Sequence, residues 1–180
     1  QDRRWLELAE SAYAGLEIMS QALGEEPGVG LVPDWCQLKH KQHCIPAPER
    51  SSDFGWDAIR VPWRLGLAAL WQQDRRAQDF LVKTILPFCR GQWQTEGKVY
   101  AIYTYGGQPA VPYDSPVLYA GLVAAALAAG DPALARQMTE KIVSFYQVDR
   151  DGGYFNRPDD YYGNNWAWFG LATYRGLVVP

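Results

Sequence analysis

The links between the predicted helices constrain the fold of this chain more than any other feature. Apolar residues recur at helical spacing in six segments, and the links between these segments alternate in length. The links after the second and fourth segments are only a few residues long, whereas the other three span residues 24–55, 91–115 and 148–163. Helices joined by short links lie antiparallel, so this alternation places all three long loops at one end of a helical stack.

The six predicted helices indicate an all-α fold. The first has an apolar stripe from Trp5 and Leu8 to Met19, and the fourth is apolar nearly all round, which predicts burial on most sides. Alternation typical of a strand occurs only at residues 99–105, where a short ribbon fits within a loop. With 180 residues, we expect one domain, residues 1–180. The predicted helices are residues 3–23, 56–72, 75–89, 116–129, 132–147 and 164–175.

Charge and composition exclude several classes of partner. The net charge of -3 and the pI near 5.4 argue against binding to nucleic acid or to an anionic membrane. The longest apolar stretch, residues 116–130, is too short and too rich in alanine to span a bilayer. We therefore expect a soluble protein with no membrane span. No signal peptide is recognisable, as expected for a mature or truncated chain.

Three cysteines leave one odd thiol. Cys36 and Cys44 lie eight residues apart in a predicted loop, which favours either a local disulfide outside the cytosol or free thiols. The same segment contains both histidines, His40 and His43, so a metal site is a further alternative, although the spacing fits no standard zinc pattern. We predict no cofactor and no metal.

The three long loops gather aromatic rings and carboxylates in a chain that is 14% aromatic. Long loops are uncommon in compact domains unless they are functional. Flat rings with a polar edge suit stacking on sugar rings as well as packing in a core. One predicted rim rich in both residue types therefore favours a carbohydrate ligand. The residues are Asp34, Trp35, Asp53, Phe54, Trp56, Asp57, Trp93, Tyr103, Tyr105, Tyr113, Asp114, Asp159, Asp160, Tyr161 and Tyr162.

Asp57 is the best single candidate for a catalytic carboxyl group. Glycosidic bonds are cleaved between two carboxyl groups, one an acid and the other a base or nucleophile. Asp57 stands where a long loop enters an apolar helix, with Trp56 beside it and Arg60 one turn later. Position alone leaves a structural alternative open, in which Asp57 caps the helix and Arg60 forms a plain ion pair with it.

Three segments resemble the family-8 glycoside hydrolases, which are endoglucanases, chitosanases and xylanases with an (α/α)6 barrel. Residues 55–64, GWDAIRVPWR, are similar to the signature helix of that family. Residues 30–35, GLVPDW, resemble the segment before that helix, and residues 161–172, YYGNNWAWFGLA, resemble the closing helix. The resemblance covers most of the chain and is greatest to the cellulases that accompany bacterial cellulose synthase.

The resemblance implies roles for the residues nearest the cleaved bond. Asp57 would be the general base that activates water in an inverting mechanism, and Arg60 would hold Asp57 or a sugar hydroxyl. Tyr161 or Tyr162 would face the same subsite. The family usually has tyrosine where this chain has Trp56, so a hydroxyl that would orient water or sugar is missing.

Other aromatic residues are weaker candidates for sugar contact. Trp35, Trp93 and Tyr113 lie in the long loops, and packing within those loops explains them equally well. Asp114 is interpreted as the cap of the fourth helix.

The resemblance also implies that half of the site is absent. The general acid of the family lies in the N-terminal half of the barrel, which this chain does not match. We therefore predict half of an (α/α)6 barrel, with six helices as three antiparallel hairpins and the long loops on one rim. Residues 95–97, Thr-Glu-Gly, are similar to the motif around that acid, but they follow the base, so we interpret the match as coincidence.

The resulting hypothesis is a β-1,4-glucanase acting on cellulose or a β-glucan oligosaccharide in the periplasm or outside the cell. The chain alone should be inactive, because one carboxylate cannot act as both base and acid. It should associate with its missing N-terminal half or with a copy of itself. One alternative is a non-catalytic glucan-binding or assembly module. The other is a helical-toroid lyase or isomerase, which would need a histidine or tyrosine base.

Overall fold

The computed structural model describes residues 2–40, 42–150 and 152–179. Within these ranges it has seven α-helices and three antiparallel two-stranded ribbons, which confirms the all-α class. The helices are α1 (Arg3–Gln21), α2 (Arg60–Gln72), α3 (Arg75–Lys83), α4 (Ile85–Glu96), α5 (Pro116–Ala128), α6 (Pro132–Ser144) and α7 (Tyr161–Tyr174). The ribbons pair β1 (Ala22–Leu23) with β2 (Glu26–Pro27), β3 (Cys36–Lys39) with β4 (His43–Pro46), and β5 (Tyr146–Asp149) with β6 (Gly152–Phe155).

The chain divides into two compact units. The first comprises Gln1–Ala58 and Ile102–Ala110, and the second comprises Ile59–Ala101 and Val111–Pro180. No described helix is both long enough and apolar enough to cross a membrane.

Helix α5 is the centre of the second unit. It packs against α2, α6 and α7, and every residue from Pro116 to Ala126 is buried. This burial confirms the prediction made from its uniformly apolar sequence. Three glycines allow the helices to approach closely, because a Cβ on Gly66 would lie 2.6 Å from the backbone of Ala124 and one on Gly170 would lie 2.8 Å from the Cα of Ala120. The third is Gly121 in α5, where an added Cβ would lie 2.6 Å from Cδ1 of Ile59.

The predicted third helix, residues 75–89, is two helices that meet at Thr84 and continue to Glu96. Pro87 explains the break, because it has no N–H to donate to the carbonyl of Lys83 and its ring crowds that carbonyl in a continuous helix. Pro87 therefore lies in the first turn of α4. Cys89, also in α4, is buried, and burial raises the pKa of its thiol to about 12.

The first unit packs around Leu23, Cys44 and Tyr105. Cys36 and Cys44 form a disulfide across the β3–β4 ribbon, with a Cα–Cα distance of 6.1 Å, so neither thiolate is left for the metal alternative. The Tyr105 hydroxyl donates to the carbonyl oxygen of Met19 at 2.8 Å, which ties residues 102–110 to α1. Burial, assisted by the charge of Glu26, raises the pKa of Tyr105 to about 12.

One local prediction was wrong. Residues 99–105 form only isolated bridges, Tyr100 with Asp114 and Tyr103 with both Phe54 and Pro109, because their partners lie in irregular loops rather than in a strand. The apolar stripe of α1 lies partly at the surface, where Trp5 is 69% exposed.

Candidate functional site

Asp34 organises the loop that leads into α2. Its Oδ1 accepts hydrogen bonds from the backbone N–H groups of Gly55 at 3.1 Å, Asp57 at 2.9 Å and Ala58 at 2.7 Å. The side chain of Asp34 thereby satisfies N–H groups of the turns that precede α2, whereas the N-cap of the helix itself, Ile59, makes no side-chain hydrogen bond. Residues 56–59 form turns, so α2 begins at Arg60 rather than at residue 56 as predicted.

Gly55 makes room for the Asp34 carboxylate. A Cβ at position 55 would lie 2.7 Å from Asp34 Oδ2, closer than van der Waals contact allows. The backbone on either side is fixed as well, because Phe54 and Tyr103 exchange backbone hydrogen bonds of 2.8 and 3.1 Å and both side chains are buried. Position 55, the first residue of the GWDAIRVPWR segment, therefore has no room for a side chain larger than that of glycine.

The Asp57 side chain is hydrogen-bonded to Trp35. The indole Nε1–H of Trp35 donates to Asp57 Oδ2 at 2.8 Å, and Asp57 is partly exposed. A hydrogen bond between a neutral donor and an ionised acceptor is among the stronger kinds. The arrangement presents a carboxylate that is orientated by a neighbour and accessible to solvent, which is what a general base requires.

Trp35 is itself held in place. Its backbone N–H donates to the carbonyl oxygen of Ser51 at 3.0 Å, and the guanidinium carbon of Arg50 lies over its ring, 5.2 Å from the centroid. Asp34, next to it, donates its backbone N–H to the carbonyl oxygen of Asp53 at 2.6 Å. The structure therefore brings the predicted residues Trp35 and Asp57 together, with the ring nitrogen rather than the ring face as the point of contact.

The charge of Asp57 acts on the neighbouring carboxyl group of Asp34. Partial burial raises the pKa of Asp34, and the negative charge of Asp57 raises it further, whereas the three backbone N–H donors oppose both effects. Asp34 therefore holds its proton to a higher pH than an aspartate in water does. Sequence analysis placed Asp34 among the aromatic and acidic residues of the predicted rim but gave it no role of its own.

The remaining predicted site residues are distributed between the units. Trp56 is 36% exposed in the first unit, next to Asp57. In the second unit, Arg60 is exposed in the first turn of α2, Tyr113 is 50% exposed and Tyr161 is 82% exposed. Their convergence on Asp57 stays a prediction. Tyr162, also in the second unit, is half-buried and packs edge-on against Trp166, with ring centroids 6.2 Å apart.

A groove of about 410 Å³ lies beside the start of α7. Tyr161 and Trp168 of α7 line it together with Tyr154 of β6, and Asp159 and Asn165 supply polar groups. Trp168 is 58% exposed, one of the largest exposed rings of the second unit. Sequence reasoning missed Trp168, although its position seven residues after Tyr161 places both on one face of a helix.

Asp114 does not cap α5 as predicted. Ser115 holds that position and accepts the N–H of Val117 at 3.3 Å, because its hydroxyl lies closer along the chain to the first turn. Asp114 Oδ2 instead accepts the hydroxyl of Tyr119 at 2.8 Å and lies 3.0 Å from Lys141 Nζ. This ion pair and hydrogen bond join the loop before α5 to α6.

Two further sequence interpretations have a structural outcome. Glu96 is exposed at the last position of α4, and Gly97 ends that helix with a φ of 66°, which accounts for Thr-Glu-Gly as a helix terminus. Trp93 is half-buried and packs edge-on against Tyr119 with ring centroids 6.4 Å apart, which favours the packing interpretation of this residue.

Sequence comparison finds partial matches to endoglucanases. No protein-family model matches the chain. The chain is 35% identical over 85 residues to endoglucanase A of Acetivibrio thermocellus, which covers 46% of the chain and 16% of the relative. It is 34% identical over 74 residues to endoglucanase C of Ruminiclostridium cellulolyticum, covering 41% and 14%. The matches thus span less than a fifth of these relatives.

Comparison with solved structures covers nearly the whole chain. A β-1,3-1,4-glucanase from Paenibacillus sp. X4 matches with a TM-score of 0.74 and 19% identity, over 97% of the chain and 44% of that protein. A family-8 glycoside hydrolase from Teredinibacter turnerae, in complex with xylobiose, matches with a TM-score of 0.65 and 22% identity, over 96% and 40%. These matches confirm the predicted resemblance to family-8 glycoside hydrolases and the fold, which is part of an (α/α)6 barrel.

Proposed function

We propose that this chain is the base-bearing part of an inverting endo-β-1,4-glucanase, with Asp57 as the general base. The observation that carries the proposal is the Asp57 carboxylate, which is partly exposed and accepts the indole N–H of Trp35 at 2.8 Å. Asp57 also lies in the segment whose sequence resembles the signature helix of the family-8 hydrolases. The partial matches to two endoglucanases support the same reaction class.

The mechanism needs a second carboxyl group. Asp57 accepts a proton from water, and the resulting nucleophile attacks the anomeric carbon on the face opposite the leaving group. A carboxylic acid on the other side protonates the departing glycosidic oxygen, so the product has inverted configuration. In the complete enzyme we expect the two carboxyl groups to lie ~6.5–9.5 Å apart, which leaves room for the water.

We propose that the acid comes from the part of the barrel that this chain does not span. The chain covers 44% and 40% of the two solved relatives. Apolar side chains are exposed on the first helix, including Trp5 at 69% and Leu8 at 57%. Exposed apolar faces of this kind mark surfaces that pack against a partner, here the N-terminal half or a second copy.

We propose β-glucan as the substrate and the periplasm or the cell exterior as the compartment, in the setting of bacterial cellulose metabolism. The groove lined by Tyr154, Tyr161 and Trp168 offers exposed rings of the kind that stack on sugars. The Cys36–Cys44 disulfide favours an oxidising compartment. The same groove supports a second candidate, a glucan-binding module without catalysis.

The deciding experiment is reducing-end release from carboxymethylcellulose. We expect the 180-residue chain to be inactive alone. A fusion in which it replaces the matching segment of the Paenibacillus glucanase should be active, should lose activity in Asp57→Asn and should keep it in Asp79→Asn, an exposed carboxylate on α3. The first products should have inverted anomeric configuration by NMR.

Three results would overturn the proposal. Activity of the chain alone that disappears in Glu96→Gln would make Glu96 the acid and the chain a complete enzyme. A fusion that retains full activity in Asp57→Asn would remove the base. A folded but inactive fusion, together with cellohexaose binding by the chain that survives Asp57→Asn, would favour the binding module.

A further inference from the structure

We infer that Trp35 is a positioning residue for Asp57, acting through its indole N–H, and that Asp34 anchors the backbone of the same residue. The inference rests on the proposed function of Asp57 as general base. It assigns Trp35 a role different from sugar stacking, and it assigns a role to Asp34, which sequence reasoning left without one.

Two consecutive residues hold both ends of Asp57. The backbone N–H of Asp57 donates to Asp34 Oδ1 at 2.9 Å, and its carboxylate oxygen Oδ2 accepts Trp35 Nε1–H at 2.8 Å. Backbone hydrogen bonds to Asp53 at 2.6 Å and to Ser51 at 3.0 Å fix these two residues in turn. One fixed point on the backbone and one on the side chain define the direction of the Cα–Cβ bond and the plane of the carboxylate.

The need for positioning follows from the location of Asp57. A partly exposed aspartate in a turn can rotate about both side-chain bonds, and only some of its orientations place an oxygen in line with an attacking water. Holding the group in a productive orientation before substrate binds removes that entropic cost from the reaction.

An indole suits this task better than other donors. It donates one hydrogen bond, accepts none and does not titrate in water. It therefore cannot take a proton from the base, and it keeps its orientating effect at every pH at which the chain is folded. A tyrosine or histidine at position 35 could exchange a proton with Asp57 or reverse the direction of the hydrogen bond.

The surroundings of Trp35 also argue against a primary role in stacking. The guanidinium of Arg50 lies over the ring, 5.2 Å from its centroid, in a cation–π arrangement. The ring is 47% exposed, and the edge that carries the nitrogen is used by Asp57. Sugar contact on the remaining surface is compatible with positioning, but it does not require the ring nitrogen.

The first test is the ¹H–¹⁵N NMR resonance of the Trp35 indole in the 180-residue chain, assigned by its loss in Trp35→Phe. Replacing the charged acceptor by a neutral one in Asp57→Asn should move this resonance upfield. Removing the acceptor in Asp57→Ala should move it further and raise its rate of exchange with water roughly ten-fold. Trp5→Phe, the same substitution at a remote exposed site, should leave it unchanged. A Trp35 resonance that ignores both Asp57 variants would overturn the inference.

The second test separates positioning from stacking in the fusion enzyme. Trp35→Phe keeps an aromatic face but removes the N–H donor, so it should lower kcat roughly ten- to hundred-fold with little change in KM. A stacking role would instead leave kcat near its original value and change KM.

The two tests fail independently. If the Trp35 indole resonance responds to the Asp57 variants but every fusion is inactive, the proposed function fails while the hydrogen bond between Trp35 and Asp57 stands. If the fusion is active and needs Asp57, but Trp35→Phe is fully active, the inference fails while the proposed function stands.

Discussion

The carboxylate of Asp34 and the α-carbon of Gly55 are packed so closely that a methyl group at position 55 would lie 2.7 Å from Asp34 Oδ2. Because three backbone N–H groups hold that carboxylate, it cannot move aside without losing hydrogen bonds. The loop that positions Asp57 therefore depends on the smallest residue at its first position.

The Gly55→Ala substitution should consequently destabilise the protein. We expect the free energy of unfolding to fall by about 1–3 kcal/mol, the range for overpacking at a site that cannot relax. Urea denaturation measures this change. Gly91→Ala is the matched control, since Gly91 lies in α4 with nothing within 4 Å of an added Cβ, and it should raise the free energy of unfolding by about 0.5–1 kcal/mol. Equal effects of the two substitutions would contradict the steric argument.

Removal of the Asp34 side chain should be costly, and its replacement by an amide should not. Asp34→Ala leaves the N–H groups of Gly55, Asp57 and Ala58 without their acceptor, which we expect to lower the free energy of unfolding by about 2–4 kcal/mol. Asp34→Asn keeps an oxygen that accepts hydrogen bonds and should stay within about 1 kcal/mol of the original chain. Denaturation in urea at neutral pH compares the two, and an amide as harmful as alanine would show that the negative charge is essential.

Asp34 should also make stability depend on pH in the direction opposite to that of most paired carboxylates. Burial and the charge of Asp57 raise the pKa of Asp34 above its ordinary value of 3.8, so the folded chain keeps this proton to a higher pH than the unfolded chain. Its contribution to stability is fully present below about pH 3.8 and is lost as the pH rises through the raised pKa.

The measurement is the unfolding free energy of the original chain minus that of Asp34→Asn between pH 3 and pH 6. This difference should fall as the pH rises. A difference that increases with pH would mean that the three N–H donors outweigh burial and hold the pKa below its ordinary value.

The hydroxyl of Tyr119 should contribute to stability independently of its ring. It donates to Asp114 at 2.8 Å and accepts the backbone N–H of Val99 at 3.1 Å, and the side chain is fully buried. Tyr119→Phe should therefore lower the free energy of unfolding by about 1–3 kcal/mol, because a buried N–H group loses its acceptor.

Lys141→Met provides the comparison for this network. It removes the ion pair to Asp114, which is only partly buried, and should cost less than about 1 kcal/mol. Both variants are compared by urea denaturation. A larger loss in Lys141→Met than in Tyr119→Phe would show that the ion pair, not the hydroxyl, holds the loop before α5.

Patterns that repeat along the sequence predicted the helical part of this fold well. The uniformly apolar run in α5 predicted its burial, and α6 begins at Pro132, the predicted first residue of that helix. The resemblance of residues 30–35 and 55–64 to one family placed two segments in one site, and the structure joins them through Asp34 and Trp35.

Features that depend on tertiary contacts were not predictable in this way. The hydrogen bonds from the N–H groups of residues 55–58 to Asp34 join positions more than twenty residues apart, so no local pattern reveals them. The three ribbons were not predicted because their strands are short. In addition, β5 is exposed on both faces, so its sequence has no apolar alternation. The break between α3 and α4 was not predicted, because the effect of Pro87 falls on the carbonyl of Lys83, four residues before it.

The central position of α5 has a consequence for biosynthesis. This helix is covered by α2, which is made before it, and by α6 and α7, which are made after it. An apolar helix of this kind is therefore synthesised before its last covering helix, and it lacks that cover until α7 has been made. Premature termination before α7 would leave apolar surface of α5 exposed, and exposed apolar surface of this kind favours aggregation. The second unit can therefore complete its core only after α7 has been synthesised.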